Sequence, residues 1–166
     1  EAMRRAGYAD DEYELILPSY SSAVTENRVV GLGERVGCPY RKGDAEWGRT
    51  VLFPALSGAL AEAADRTGAR FVDMSRASEG FEACSHHNAD DEWQRRLTVS
   101  PEALVNGGLD AVGVHLFQES FHPSARGHAV FAPCLAEFAR SPLPAGACVP
   151  VDGRLQLRSE VLTPAA

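Results

Sequence analysis

The stretch that decides the fold reads DAEWGRTVLFPALSGALAEAADRTG over residues 44–68, followed by ARFVDM over residues 69–74. In the first part Trp47, Val51, Leu52, Leu56 and Leu60 recur largely at three- and four-residue steps, the period of a helix with one apolar face. Asp44 opens this predicted helix and Gly68 stops it. Pro54 either kinks it or marks a late start, since proline brings no amide hydrogen. Residues 69–74 read as a strand. A helix feeding directly into a strand suggests an α/β crossover, which places the chain in the α/β class.

Working outward, residues 1–7 look like the end of a helix stopped at Gly7, with Arg4 and Arg5 in its last turn. Tyr13 to Pro18 reads as a short buried strand, and residues 19–43, rich in Ser and Gly, as a long loop. A loop of that length in a compact domain is usually functional. On the other side, residues 75–118 form a second long polar segment holding Cys84, His86, His87 and Trp93. Pro123 precedes a predicted helix over residues 124–139, with Phe131, Leu135 and Phe138 as its apolar stripe and Pro133 as a bend. The tail after Ser141 is proline-rich, with a strand at residues 154–157. No repeat, low-complexity tract or linker divides the chain, so residues 1–166 are read as a single domain.

Bulk composition narrows the function classes. A chain of 166 residues can bury roughly 70% of its extended-chain surface. Its 45% hydrophobic and 23% charged residues rule out wholesale disorder. No apolar run approaches the ~20 residues of a membrane span. With 16 basic residues against 23 acidic ones, the net charge is −7, which argues against a nucleic-acid scaffold and its concentrated cationic face. The chain opens at Glu1 with no secretory apolar region, which is read as removal of an upstream piece: a signal peptide, a tag or a larger segment. Four cysteines, Cys38, Cys84, Cys134 and Cys148, allow three pairings. They lack zinc-ligand spacing, so a structural zinc site is not expected. Flanking loop residues suit disulfides of an oxidising compartment; four buried free thiols are the alternative.

The chemistry concentrates in ESFHPSARGH, residues 119–128. A histidine at the end of a loop, just before a helix, can present an imidazole to solvent from a rigid base, as a general base requires. Glu119, three residues before His122, can hold Nδ1 and stabilise the imidazolium. The same spacing equally fits a histidine that merely packs against the helix start. Other polar residues carry less. His86 and His87 beside Asp90, Asp91 and Glu92 lack helical ligand spacing and read as a solvated loop. Ser120 sits two residues from His122, too close in an extended chain to face it as a nucleophile. Ser19 or Ser21, at the end of the first strand, is the better geometric guess for an exposed serine, although neither has a G-x-S-x-G setting. His115 and His128 are expected to pack.

Glu119-Ser120-Phe121-His122-Pro123 followed by Gly127-His128 resembles the last motif block of the SGNH, or GDSL, hydrolases, most closely that of secreted actinobacterial esterases and lipases. Weaker likenesses follow in order: Gly7-Tyr8 through Pro18-Ser19-Tyr20, then Glu26-Asn27-Arg28, Gly37-Cys38-Pro39 and Trp47, the strand at residues 69–75, and finally Cys84 and Trp93. The resemblance implies a three-layer α/β/α sandwich with a flavodoxin-like parallel sheet, secretion, and His122 as catalytic base. The base would be oriented by Glu119 or, as in some secreted relatives, by a backbone carbonyl two residues earlier, here that of Ser120. It implies disulfides Cys38–Cys84 and, for the remaining pair, Cys134–Cys148. It implies an acyl or acetyl ester substrate, possibly a lipid, and no metal or organic cofactor. The family's Gly-Asp-Ser nucleophile block and its G-x-N-D block are missing from this sequence. The chain therefore corresponds to the C-terminal part of such a hydrolase. Its serine and oxyanion donors would come from an N-terminal segment or a mate chain, and alone it should be inert. The alternative expectation is a non-catalytic binding module derived from that fold, offering a sheet edge to a partner strand.

Overall fold

The computed structural model describes residues 2–29, 37–97 and 120–159. Within them lie helices α1 (Ala2–Arg5), α2 (Lys42–Trp47), α3 (Phe53–Thr67) and α4 (Ala125–Arg140), and strands β1 (Ile16–Pro18), β2 (Arg70–Asp73), β3 (Ala145–Val151) and β4 (Arg154–Arg158). The four strands form one mixed sheet in the order β1-β2-β3-β4. β1, β2 and β3 run parallel and β4 antiparallel to β3, so the chain is α/β, and its sheet is mixed where the resemblance implied a parallel one.

The helix read from residues 44–68 is present but interrupted. It begins two residues early, at Lys42, with Asp44 Oδ2 accepting from the Arg41 amide (3.4 Å). A π-helical segment, Gly48–Leu52, joins α2 to α3 immediately before Pro54. Widening the turn there spares the proline ring its clash with a carbonyl four residues back. The extra residue also rotates the helix phase by roughly 100°, so the apolar stripe does not continue straight along one face. The face turned inward is made of small residues, Ala45, Gly48, Ser57 and Ala64. Trp47 (55% exposed), Val51, Leu52 and Leu56 remain at the surface, which corrects the expectation that they form the buried face. Gly68 ends α3 in the left-handed conformation (φ 69°), as its position in the sequence suggested.

β1 is shorter and less buried than the strand expected over Tyr13 to Pro18. Among the described strands it lies at the edge, and Leu15 beside it is half exposed. Side chains alternate along β2, and this places a helix on each sheet face. Asp73 accepts from Ser57 of α3 (2.7 Å), whereas Val72 joins the cluster formed with Phe131, Cys134 and Phe138 of α4. Trp93, Met74 and Cys148 complete that core. Arg70 ties it off: its guanidinium donates to the carbonyls of Phe138, Ser141 and Leu143 and stacks over the Phe138 ring at 4.5 Å, closing the carbonyl end of α4. The disulfides are Cys38–Cys84 and Cys134–Cys148, the second linking α4 to β3.

Candidate active site

His122 is placed by two segments that bond to each other. Residues 93–95 run antiparallel to residues 121–124. The Phe121 amide donates to Arg95 O (3.1 Å), the Arg95 amide to His122 O (2.8 Å) and the Ser124 amide to Trp93 O (2.8 Å). Ser124 then starts α4 with its own side chain, accepting from the Gly127 amide (3.1 Å) while donating to Glu92 O (3.0 Å). At Gly127 the helix comes so close to the other segment that a Cβ would lie 2.1 Å from Trp93 O. Only glycine permits that approach.

Between these fixed points the chain makes a sharp reversal at Phe121, whose φ is 59°. The left-handed region costs a non-glycine residue on the order of 1 kcal/mol, so something must hold it there. The Phe121 ring does so, packed with the Cys38–Cys84 disulfide and meeting Tyr40 edge to face at 6.1 Å. Phe121 is thus turned inward and His122 outward, into solvent. The disulfide that closes a distant loop supports the geometry of the histidine.

His122 Nδ1 lies 2.9 Å from the Ser120 carbonyl oxygen. A carbonyl can only accept, so Nδ1 carries the hydrogen and the neutral ring keeps its lone pair on Nε2. An imidazole fixed in that tautomer, on a residue exposed to solvent, can accept a proton at Nε2 from an incoming hydroxyl. Of the two orienting groups expected, the Ser120 carbonyl is in position; Glu119 lies outside the described residues.

The remaining candidates fall elsewhere. Ser19 is buried, donating to Asp73 (3.0 Å) and accepting from the Met74 amide (2.8 Å), so it is a structural hydroxyl and not the exposed serine its position suggested. Ser21 accepts from Gln94 Nε2 (2.6 Å), and no bond brings it to His122. His86 stacks on Phe81 (5.3 Å between centroids), and its Nδ1 is 2.9 Å from Ser85 Oγ. Among the described residues no group of three or more His, Cys, Asp or Glu converges as a ligand set. His128, expected to pack, is exposed on α4, and His115 lies outside the described residues.

Three buried polar features of the chain escaped sequence reading. Glu92, fully buried, is held in a two-pronged pair by Arg96 (2.8 and 3.0 Å), which also donates to His86 O. The i, i+4 spacing of Glu92 and Arg96 was the visible signal. Asp73 Oδ1 gathers Ser19, Ser57 and the Ser75 amide from three separate parts of the chain, and no local pattern announces that. Glu82 is buried with its Oε2 accepting from the Gly80 amide, and burial pushes its carboxyl up to about 7. No family model, no curated protein and no solved structure matches this chain.

Proposed function

We propose that the chain is the histidine-bearing part of a serine ester hydrolase of the SGNH type. The observation that carries this reading is the Nδ1–carbonyl contact at 2.9 Å, which leaves Nε2 of an exposed, rigidly mounted His122 available as a base. The serine and the oxyanion donors are supplied by an N-terminal segment or a mate chain. Nε2 takes the serine proton as the hydroxyl attacks the ester carbonyl, then returns it to the leaving alcohol; Ser120 O stabilises the imidazolium through the Nδ1 hydrogen. A sheet flanked by helices on both faces is compatible with the three-layer fold of that family. Two disulfides support secretion.

One observation favours a second reading, a non-catalytic interaction module. Among the described residues β1 has a strand on one side only, and Trp47, Val51, Leu52 and Leu56 are exposed on the α2–α3 unit. Under the first reading the same surface receives the serine-bearing segment. Denaturing mass spectrometry of native material, with and without reductant, after reaction with a fluorophosphonate ester probe, separates the two. The hydrolase reading expects a labelled serine on a covalently continuous or co-purifying Gly-Asp-Ser polypeptide. A single unlabelled species near 17.8 kDa would overturn it.

A further inference from the structure

We propose that Cys38, Cys84, Phe121 and Tyr40 are the positioning unit of His122, and that the Cys38–Cys84 bridge decides which ring nitrogen carries the hydrogen. The inference rests on the reading of His122 as a base: with the hydrogen moved to Nε2, the neutral ring has no lone pair there to receive a hydroxyl proton. Among the described residues three non-glycine residues adopt the left-handed conformation, Cys84 (φ 66°), Phe121 (φ 59°) and Asp152. Asp152 belongs to the β3–β4 turn; the other two meet in one cluster with Cys38, Ala83 and Tyr40. Residues in that conformation persist only where their surroundings hold them.

The cluster is tied from both sides. Residues 95–97 bond to the histidine turn through Arg95 O, which accepts from the Phe121 amide (3.1 Å). They bond to the cysteine loop through the Leu97 amide, which donates to Gly37 O (2.7 Å). Cys38 and Phe121 thus hang from the same short segment. On the far side, Tyr40 Oη donates to Ala83 O (2.8 Å), the Val29 amide to Cys84 O (3.0 Å) and Arg28 to Tyr40 O (2.7 Å). The bridge joins these halves across 46 residues, and the Phe121 ring lies against it and against Tyr40. Without the bridge the ring loses its backing and Phe121 relaxes toward the ordinary φ range. The next residue then turns its imidazole away from Ser120 O. The other disulfide, Cys134–Cys148, packs with Val72, Phe131 and Phe138, in a core that shares no residue with this cluster.

The test reads the ring nitrogens, so it needs neither turnover nor the serine-bearing segment, and its failure would leave the hydrolase reading standing. Long-range ¹H–¹⁵N spectra of the neutral His122 ring are recorded for the ¹⁵N-labelled chain with Cys38→Ala and Cys84→Ala together, and with Cys134→Ala and Cys148→Ala together. Amide spectra of β2 and α4 establish that each variant is folded. In the first variant the ratio of Nδ1–H to Nε2–H should fall about fivefold, the worth of one hydrogen bond. In the second it should stay as in the parent. Phe121→Ala with both bridges intact should repeat the fall, and it carries the test if the first variant does not fold. Phe121→Leu, which restores apolar contact with the bridge, should keep most of the parent ratio. A ratio unchanged by removing Cys38–Cys84 or by Phe121→Ala, or lowered equally by removing either bridge, would overturn the proposal.

Discussion

Replacing Gly127 by alanine puts a methyl carbon 2.1 Å from Trp93 O and 3.0 Å from its carbonyl carbon. A carbon–oxygen contact relaxes only near roughly 3.3 Å, so the start of α4 and residues 93–95 must part by about 1 Å. That motion stretches Ser124 N to Trp93 O (2.8 Å), Ser124 Oγ to Glu92 O (3.0 Å) and Arg95 N to His122 O (2.8 Å). Three hydrogen bonds at about 1 kcal/mol each are weakened, and overpacking adds about 1 kcal/mol or more. Alanine's better helix propensity returns about 1 kcal/mol. The net loss is therefore about 3 kcal/mol, a fall in Tm of about 10 °C for a chain of this size. Gly58 in α3 supplies the control, because a Cβ there meets nothing within 4 Å. Gly58→Ala should stabilise by about 1 kcal/mol. Urea unfolding with disulfides intact, followed by the fluorescence of buried Trp93, measures both. If Gly127→Ala proved as stable as the parent while Gly58→Ala behaved as expected, the close approach at Trp93 would be refuted.

Further outcomes follow from the same contacts. Burial raises the Glu82 carboxyl from 4.5 to about 7, so between those pH values the folded chain holds a proton that the unfolded chain has released. Stability from this group thus falls as pH rises from 4.5 to 7, by about 3 kcal/mol in all, and levels off above. Glu82→Gln should remove that slope in a urea-midpoint-against-pH series; an unchanged slope would count against it. The Cys38–Cys84 and Cys134–Cys148 bridges span 46 and 14 residues, so by loop closure their removal should cost about 4 and about 3 kcal/mol respectively. Paired Cys→Ala unfolding curves check the ranking. Arg96→Met leaves Glu92 buried without its cation and should destabilise by about 3–5 kcal/mol, with Glu92→Gln in the same chain recovering much of it. Long-range ¹H–¹⁵N spectra of the neutral His122 ring should show the Nδ1–H tautomer; the Nε2–H form would contradict the Ser120 contact.

What the sequence disclosed depended on how local the cause was. Helix, left-handed glycine stop and strand over residues 44–74 were legible because each is set by neighbours a few residues apart. The phase slip before Pro54 was not, and it turned Trp47, Val51 and Leu52 outward. β3 was missed because Ala145–Val151, with Gly146 and Pro150, has little strand propensity. Its hairpin to β4 was nonetheless signalled by Asp152-Gly153, whose φ values of 50° and 74° suit a two-residue turn. At the site, His122 could be read because it stands just before a helix start; the Ser120 carbonyl was expected only through the likeness to secreted hydrolases, as an alternative to Glu119. Arg95, Gln94 and the support of Phe121 by Cys38–Cys84 could not, since only tertiary contact brings them there.

The most direct test of His122 as a base is hydrolysis of p-nitrophenyl acetate by the polypeptide that joins or pairs this chain with a Gly-Asp-Ser segment. His122→Ala should lower kcat at least about a thousandfold with the fold intact. Glu119→Ala should lower it only modestly, because the Ser120 carbonyl holds Nδ1. Full activity in the His122→Ala variant would contradict the account.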